Sequence, residues 1–268
     1  MSERQEEFIE QEGALLYAVL WGGAQAGRTP VVLLHDSLGA VALWRDFPAR
    51  LAQATGLPVI AYDRAGFGRS TARSEALSPD FIAAEAHGSL QAVLQHFGVA
   101  QAVLFGHSVG GGMAVSAAAQ MPQRVLAVIT ESAQAFVEER TLEGIRDARA
   151  SFADQDQLAR LAKYHGNDPQ QARWVLSAWI DTWLSPSFAQ WSLAPMLARL
   201  TCPVLALHGD LDEFGSLAHP RMIAGLPCAF AGQGQFQVLA QCGHVPHREQ
   251  PDQVLVAVKD FLLRLGIL

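Results

Sequence analysis

The sequence has few cysteines, few charged residues and no long apolar run, and each scarcity excludes a class of protein. Only three of its 268 residues are cysteine, and they lack the paired spacing of a disulfide framework or a zinc site. Charged residues make up 17% of the chain and the formal net charge is -7. No cluster of Lys and Arg is present, so a nucleic-acid partner is not expected.

The ends and the apolar runs of the chain give no sign of export or membrane insertion. The N-terminal segment MSERQEEFIEQEG lacks the basic start and the apolar stretch of a signal peptide. No apolar run is long enough to span a bilayer. Half of the residues are hydrophobic, which is sufficient for a substantial core. We therefore expect a folded cytoplasmic protein with no membrane span.

Short apolar runs alternate with helical patterns and predict a mostly parallel sheet with helices on both of its faces. The continuous runs at residues 30–34, 59–62 and 102–105 are typical of strands buried on both sides. Further strands are predicted at residues 15–20, 125–129, 204–207 and 236–239. Helices are predicted at residues 44–54, 79–97, 112–119 and 251–265.

One stretch, at residues 133–200, interrupts this alternation. It has helical patterns but no convincing strand, and it contains four of the six tryptophans: Trp174, Trp179, Trp183 and Trp191. We predict that it is a helical cap inserted into a core domain formed by residues 1–132 and 201–268. Because ligand pockets are mostly apolar, we expect cap tryptophans to bind an apolar portion of a small-molecule substrate.

The sequence Gly-His-Ser-Val-Gly at residues 106–110 follows a predicted strand and precedes a predicted helix. A G-x-S-x-G motif in this setting is typical of a nucleophile elbow, a sharp turn that exposes the serine at the edge of the sheet. The two glycines lack a Cβ, so neighbouring backbone can pass close to them. The helix N-terminus favours a nearby negative charge. We predict that Ser108 is a nucleophile.

A serine nucleophile needs a base, and His244 is the best placed of nine histidines. It lies in CGHVPHREQP, between the last predicted strand and the last predicted helix. In a strand–elbow–helix fold the order along the chain is serine, acid, histidine, which places the base near the C-terminus. His247 is the alternative, although we expect it to pack or to bond locally at the start of the last helix.

The acid of such a triad should follow a late strand, where the segment VLALHGDLDEFG offers Asp210, Asp212 and Glu213. A carboxylate there would orient the histidine and stabilise the imidazolium. The oxyanion hole requires two backbone N–H groups, one from the residue after the nucleophile and one from the loop after an earlier strand. We expect Val109 and Ser37 to supply them.

These segments together resemble the α/β-hydrolase superfamily over nearly the whole chain. The resemblance is carried by VVLLH, AYDRAGFGRS, GHSVGGGMA, CPVLALHGDLDEFG and CGHVPHREQP. It implies a doubly wound, mostly parallel α/β sheet. It also implies that the acid is Asp212, the aspartate of G-x-x-D, and that the base is His244, the first histidine of G-H-x-x-H. The DRAGFGRS loop is implied to be structural, which leaves Asp63 outside the site.

The chain departs from the superfamily pattern at two positions. Asp36 occupies a position where most relatives have glycine, and we expect its carboxylate to point away from the oxyanion, because a negative charge there would oppose catalysis. The elbow has Ser108 where haloalkane dehalogenases and epoxide hydrolases have aspartate. The mechanism of those enzymes is therefore not expected here.

The resemblance implies a serine hydrolase that cleaves a carboxylic ester or a related acyl compound. Three alternatives retain the same motifs. They are a carbon–carbon bond hydrolase of ring-fission products, a cofactor-free dioxygenase, and a small-molecule sensor with little turnover. Neither a metal nor an organic cofactor is implied.

Overall fold

The central strands of the sheet consist mainly of buried apolar residues. The computed structural model describes residues 4–23, 28–225 and 234–268; Cys228 lies outside these ranges. The strands are β1 (Arg4–Gln11), β2 (Ala14–Trp21), β3 (Val31–Leu34), β4 (Val59–Tyr62), β5 (Ala102–His107), β6 (Val125–Glu131), β7 (Val204–Gly209) and β8 (Gly234–Leu239). Every residue of β3, β4, β5 and β7 is buried, as expected of strands covered by helices on both sides.

The strands form one sheet in the order β1-β2-β4-β3-β5-β6-β7-β8. The pairs β1–β2 and β2–β4 are antiparallel, and all other pairs are parallel. The predicted mostly parallel α/β sheet is thereby confirmed. Strand β1 was not predicted from the sequence, because RQEEFIEQ is largely polar and exposed, as an edge strand can be.

The helices cover both faces of the sheet. They are α1 (Phe47–Thr55), α2 (Phe81–Ala84), α3 (Ser89–His96), α4 (Val109–Gln120), α5 (Glu139–Ser151), α6 (Gln155–Ala162), α7 (Pro169–Trp183), α8 (Ala194–Leu197), α9 (Ala218–Gly225), α10 (Pro246–Glu249) and α11 (Pro251–Arg264). One apolar core lies between the sheet and α3, α4 and α9, and a second lies between the sheet and α1 and α11. Alternate residues of β2 contribute to the two cores, which follows from the two-residue period of a strand.

The prediction of a single helix at residues 79–97 is wrong. The structure has the short helix α2, a 3-10 turn at Glu85–His87, and α3, with Gly88 in a non-helical conformation between them. Glycine is a weak helix former. In addition, the hydroxyl of Tyr62 donates a hydrogen bond of 2.6 Å to Glu85, so a contact with β4 fixes the turn.

The chain between β6 and β7 contains α5, α6, α7 and α8 and contributes no strand to the sheet. Helix α7 begins at Pro169, and the side chain of Asp168 caps it by accepting a hydrogen bond from the amide of Gln170. The division into a core and a cap stays a prediction. Within the described ranges, no helix has both the length and the apolar character needed to cross a membrane.

Candidate active site

Ser108 lies between the end of β5 and the start of α4, with a φ angle of 55° that residues with a side chain rarely adopt. The turn is tight. A Cβ on Gly106 would lie 2.1 Å from the carbonyl oxygen of Gly110, and a Cβ on Gly110 would lie 2.2 Å from that of Leu34. Only glycine fits at these two positions, and this close packing holds Ser108 at the carboxyl edge of the sheet.

His244 and Asp212 form a hydrogen-bonded pair beside this turn. Nδ1 of His244 lies 2.9 Å from each carboxylate oxygen of Asp212. The Asp212 side chain is fully buried, whereas that of His244 is 11% exposed. The amide of Phe214 donates a hydrogen bond of 2.8 Å to the same carboxylate, and Nε2 of His208 lies 3.3 Å from it. The carboxylate is therefore fixed in position from several sides.

Each member of the pair favours the charged form of the other. Burial lowers the pKa of His244, but the charge of Asp212 and its hydrogen bond outweigh burial and raise that pKa above its usual value. Burial raises the pKa of Asp212, but the charge and the hydrogen bond of His244 bring it below its usual value. The pair is therefore suited to an imidazolium held against a carboxylate.

Ser108 and His244 line the same cavity, which has a volume of about 180 Å³. Its surface is mainly apolar and includes Ile145, Trp179 and Phe214. The ring of Phe214 lies 4.9 Å from that of His244, in an edge-on arrangement. A small, mainly apolar group placed in this cavity would contact both the hydroxyl and the imidazole.

Gln134 is a polar residue of the cavity that the sequence analysis missed. It follows β6 and is buried, and its Oε1 accepts a hydrogen bond of 3.3 Å from Oγ of Ser108. Among the described residues Oγ of Ser108 makes this hydrogen bond and none to His244; catalytic hydrogen bonds are often completed only when substrate binds. A lone glutamine after a strand belongs to no motif, and only the sheet brings it to the serine.

Two of the four tryptophans in the 133–200 segment line the cavity, namely Trp179 and Trp183. The other two do not, so their predicted substrate-binding role does not match this cavity. The indole of Trp174 packs against Phe67 and donates a hydrogen bond to the carbonyl of Glu75, while Trp191 stacks on Phe188. These two rings are used for packing inside the fold.

The loop after β3 brings Asp36, Ser37 and Leu38 to the site. Ser37 lines the main cavity, and together with Val109 it lines a small adjoining pocket of about 10 Å³. The amide of Val109 belongs to the first turn of α4, where helical amides have no partner within the helix. Asp36 also lines the main cavity, and its Oδ1 lies beside Gly39, where a Cβ would be 2.0 Å from it. That this carboxylate points away from the oxyanion stays a prediction.

Three buried titratable residues lie directly behind His244. Nδ1 of His247 lies 2.5 Å from a carboxylate oxygen of Glu131, and Nε2 of His107 lies 2.8 Å from the backbone oxygen of His244. Burial lowers the pKa of His107 to about 4 and that of His247 to about 3, and it raises the pKa of Glu131 to about 7. His247 packs against Trp44, as one of the two expectations for it stated, but its hydrogen-bond partner lies on β6 and is not local.

Among the described residues, His107, Glu131 and His247 are also close enough to share a metal ion. Nδ1 of His247 and Oε2 of Glu131, however, already bind each other, and Nε2 of His107 binds the backbone of His244. The other carboxylate oxygen of Glu131 is buried and has no hydrogen-bond partner among the described residues. Hydrogen bonds between these buried side chains stabilise the fold, because a buried polar group without a partner costs free energy. The cluster is therefore explained as a hydrogen-bonded support beneath the loop of His244.

Asp63, in the DRAGFGRS loop, has a structural environment. Its carboxylate accepts hydrogen bonds from the amides of Val41 at 2.6 Å and Arg69 at 2.7 Å. Gly68 has a φ of 56°, and a Cβ there would lie 2.0 Å from that carboxylate. The loop thus links two segments of backbone through one buried side chain.

The family described as alpha/beta hydrolase fold matches residues 29–251 of the sequence. The chain belongs to the α/β-hydrolase family. Over 252 residues it is 27% identical to 2-hydroxymuconate semialdehyde hydrolase of Pseudomonas sp. (strain CF600). This alignment covers 87% of this chain and 86% of that protein. Over 268 residues it is 26% identical to pimeloyl-[acyl-carrier protein] methyl ester esterase of Edwardsiella ictaluri, covering 91% of this α/β-hydrolase and 97% of the esterase.

Solved structures share the fold. The 2-hydroxy-6-oxo-6-phenylhexa-2,4-dienoate hydrolase of Rhodococcus sp. strain RHA1 superimposes with a TM-score of 0.79 at 19% identity, covering 98% of this α/β-hydrolase and 100% of that chain. An esterase of Rhodococcus sp. ECU1013 superimposes with a TM-score of 0.72 at 21% identity, and the superposition covers 98% of this α/β-hydrolase and 99% of the esterase. The family and the relatives together indicate a hydrolase.

Proposed function

We propose that this α/β-hydrolase is a serine hydrolase that cleaves a carboxylic ester or a related acyl compound through an acyl-enzyme on Ser108. The observation that carries the proposal is the His244–Asp212 pair. The ring of His244 is held at 2.9 Å from a buried carboxylate and lines the same cavity as Ser108. A hydroxyl, an imidazole and a buried acid around one cavity are the groups that acyl transfer requires.

In the first step, Oγ of Ser108 attacks the acyl carbon while Nε2 of His244 takes the hydroxyl proton. Asp212 holds Nδ1 and stabilises the imidazolium. The negative charge that develops on the acyl oxygen is bound by the backbone N–H groups of Ser37 and Val109. The tetrahedral intermediate then expels the alcohol, which receives the proton from His244. Water activated by the same imidazole releases the acid and restores Ser108.

The dimensions of the cavity favour a small acyl group. Its volume of about 180 Å³ lies below the range of about 300–1,000 Å³ that is typical of sites for drug-sized ligands. The mainly apolar surface favours acyl groups with an apolar portion. We therefore propose a short acyl chain as the part of the substrate that enters the cavity.

A fluorophosphonate is expected to react at Ser108 alone. Oγ of Ser108 forms a bond to phosphorus, fluoride leaves, and His244 takes the proton, so the reagent mimics the first step of acyl transfer. Mass spectrometry of tryptic peptides locates the label. Ser108→Ala is the control and should remain unlabelled. Label on another serine, or none in folded protein, would contradict the proposed nucleophile.

Carbon–carbon bond hydrolysis is the second candidate, and the similarity to 2-hydroxymuconate semialdehyde hydrolase favours it. A dienoate, as named for the Rhodococcus enzyme, carries a carboxylate. No Lys or Arg is among the described residues that line the cavity of Ser108, and Arg64 lines the small adjoining pocket. Since a carboxylate is ordinarily bound by such a cation, this composition favours ester hydrolysis. Incubation with a ring-fission dienoate tests the alternative, and cleavage of that compound in preference to esters would support it.

We also propose that the 133–200 segment caps the site and selects the acyl group through Trp179. Trp179→Ala should change kcat/KM unequally for p-nitrophenyl esters of short and long acyl chains, because it enlarges one side of the cavity. Trp179 is half-buried, so the melting temperature should change little. Trp174→Ala is the matched control, since Trp174 lies on the same helix, is also half-buried and does not line the cavity. Equal substrate rankings in both variants and the parent would mean that Trp179 is structural.

A further inference from the structure

Apart from His244, the charged residues that line the catalytic cavity are acidic. They are Asp36 and Glu213, and no Lys or Arg is among the described residues that line this cavity. A cation, Arg64, lines the small adjoining pocket and donates a hydrogen bond of 2.8 Å to the backbone oxygen of Asp36. Burial lowers the pKa of His244, and Asp212 raises it most strongly, but Glu213 and Asp36 raise it as well. Both carboxylates therefore act electrostatically on the position where the reaction takes place.

The two carboxylates reach the cavity from opposite sides of the nucleophile. Asp36 is on the loop after β3, which pairs with one side of β5, and it directly precedes the oxyanion donor Ser37. Glu213 is on the loop after β7, which pairs with β6 on the other side of β5. A group bound over Ser108 is consequently flanked by negative charge on both sides.

Aromatic rings and an unpaired donor complete this part of the cavity. Trp179 lies 5.8 Å from Phe214 in an edge-on arrangement, and both line the cavity. Ring faces attract cations. The indole Nε1 of Trp183, another lining residue, is buried and has no hydrogen-bond partner within the described part of the chain.

The negative charges would oppose hydrolysis of a neutral substrate, and a cationic substrate would offset this effect. A neutral substrate acquires an oxyanion in the transition state, and Asp36 and Glu213 repel that charge. An ammonium group on the acyl chain would be attracted by both carboxylates and would offset the repulsion. An acyl chain ending in a carboxylate would add to it. The formal net charge of -7 would also attract cations to the protein from solution.

We propose that the cavity is selective for acyl compounds that carry an ammonium group, with Asp36 and Glu213 as the specificity-determining residues. This inference rests on the proposed serine-hydrolase function, because it concerns the acyl group that Ser108 attacks. Binding occurs by charge attraction and cation–π contact. Asp36 and Glu213 take no part in bond making or proton transfer.

Three ethyl esters of matched shape test the proposal. They are the ester of γ-(trimethylammonio)butyric acid, its neutral isostere with a tert-butyl group in place of the trimethylammonium group, and the monoester of glutaric acid. The expected order of kcat/KM is cationic, neutral, anionic, with the cationic ester at least about tenfold ahead of its isostere at low ionic strength. A neutral ester hydrolysed as well as the cationic one, or better, would overturn the proposal.

Charge-removing variants assign the preference to residues. Asp36→Asn and Glu213→Gln should each lower kcat/KM for the cationic ester and raise it for the anionic one, so that their ratio falls by about tenfold. Asp210→Asn is the matched control: Asp210 is exposed, lies on the same loop as Glu213 and is not part of the cavity lining. A ratio unchanged in both test variants contradicts the assignment.

The relative rates at which a cationic fluorophosphonate and its neutral counterpart label Ser108 measure the charge preference without turnover of an ester. Labelling of Ser108 with no charge preference would overturn the charge selectivity and leave the proposed nucleophile intact. If Ser108 reacts with neither reagent, the serine-hydrolase proposal fails and the selectivity inference fails with it. The two failures are therefore distinguishable in a single experiment.

Discussion

Ser108→Ala and His244→Ala are each expected to lower kcat by up to about 10⁶-fold, the scale on which a serine nucleophile and its base act as a unit. Without Oγ no acyl-enzyme forms, and without the imidazole the hydroxyl keeps its proton. For the same reason the double variant should be no slower than either single variant. Steady-state hydrolysis of a short p-nitrophenyl ester gives the measurement, together with a check that each variant is folded.

His247→Ala is the control for this result, because His247 is in the same G-H-x-x-H segment. Its side chain binds Glu131 and does not line the cavity of Ser108. We expect a far smaller loss of kcat in folded protein, accompanied by some loss of stability, because Glu131 would lose a buried partner. If instead His247→Ala were the inactive variant and His244→Ala retained activity, the assignment of the base would be wrong.

Asp212→Asn is expected to lower kcat by about 10⁴-fold, the magnitude found when the orienting acid of a serine protease becomes an amide. An amide in place of the carboxylate can donate to Nδ1 of His244, which would stabilise the wrong tautomer. It also removes the charge that stabilises the imidazolium. Asp210→Asn should have a mild effect, because Asp210 is exposed and only accepts a hydrogen bond of 3.3 Å from the amide of Cys242.

The pH profile of Asp212→Asn provides a second readout. The base must be neutral to accept a proton, so kcat/KM falls as the pH drops below the pKa of His244. Asp212 raises that pKa in the parent. Its removal should lower the pKa and move the acidic limb of the profile to lower pH. A severe Asp210→Asn variant beside a near-normal Asp212→Asn variant would falsify the choice of acid.

The fold was predictable from the sequence to the extent that local patterns control it. Runs such as the one in β3 are too short for a helix and fully apolar, so a buried strand is the structure that satisfies them. The polar edge strand β1 escaped prediction because only its pairing with β2 stabilises it. The break at Gly88 was not predicted because it depends on a contact between residues far apart in the sequence. Tyr62 on β4 binds Glu85 in the turn, and this contact competes with helix propensity.

For the candidate site, the sequence by itself determined which residues have the required chemistry and order. Ser108 was indicated by its two glycines, whose backbone contacts leave no room for a side chain. His244 and Asp212 were indicated by their positions after late strands, and parallel strands bring such positions to one edge of the sheet. These inferences need only local spacing and the direction of the strands.

The tertiary structure alone decided which side chains share the cavity. It brings Gln134 to Ser108 and places Trp179 and not Trp174 at the cavity, although both tryptophans are on α7. It also places Asp36 and Glu213 around one space, from loops far apart in the chain. Sequence spacing carries no information on such contacts, because they depend on how separate elements pack against each other, and it is these contacts that set the charge and size of the group the enzyme can accept.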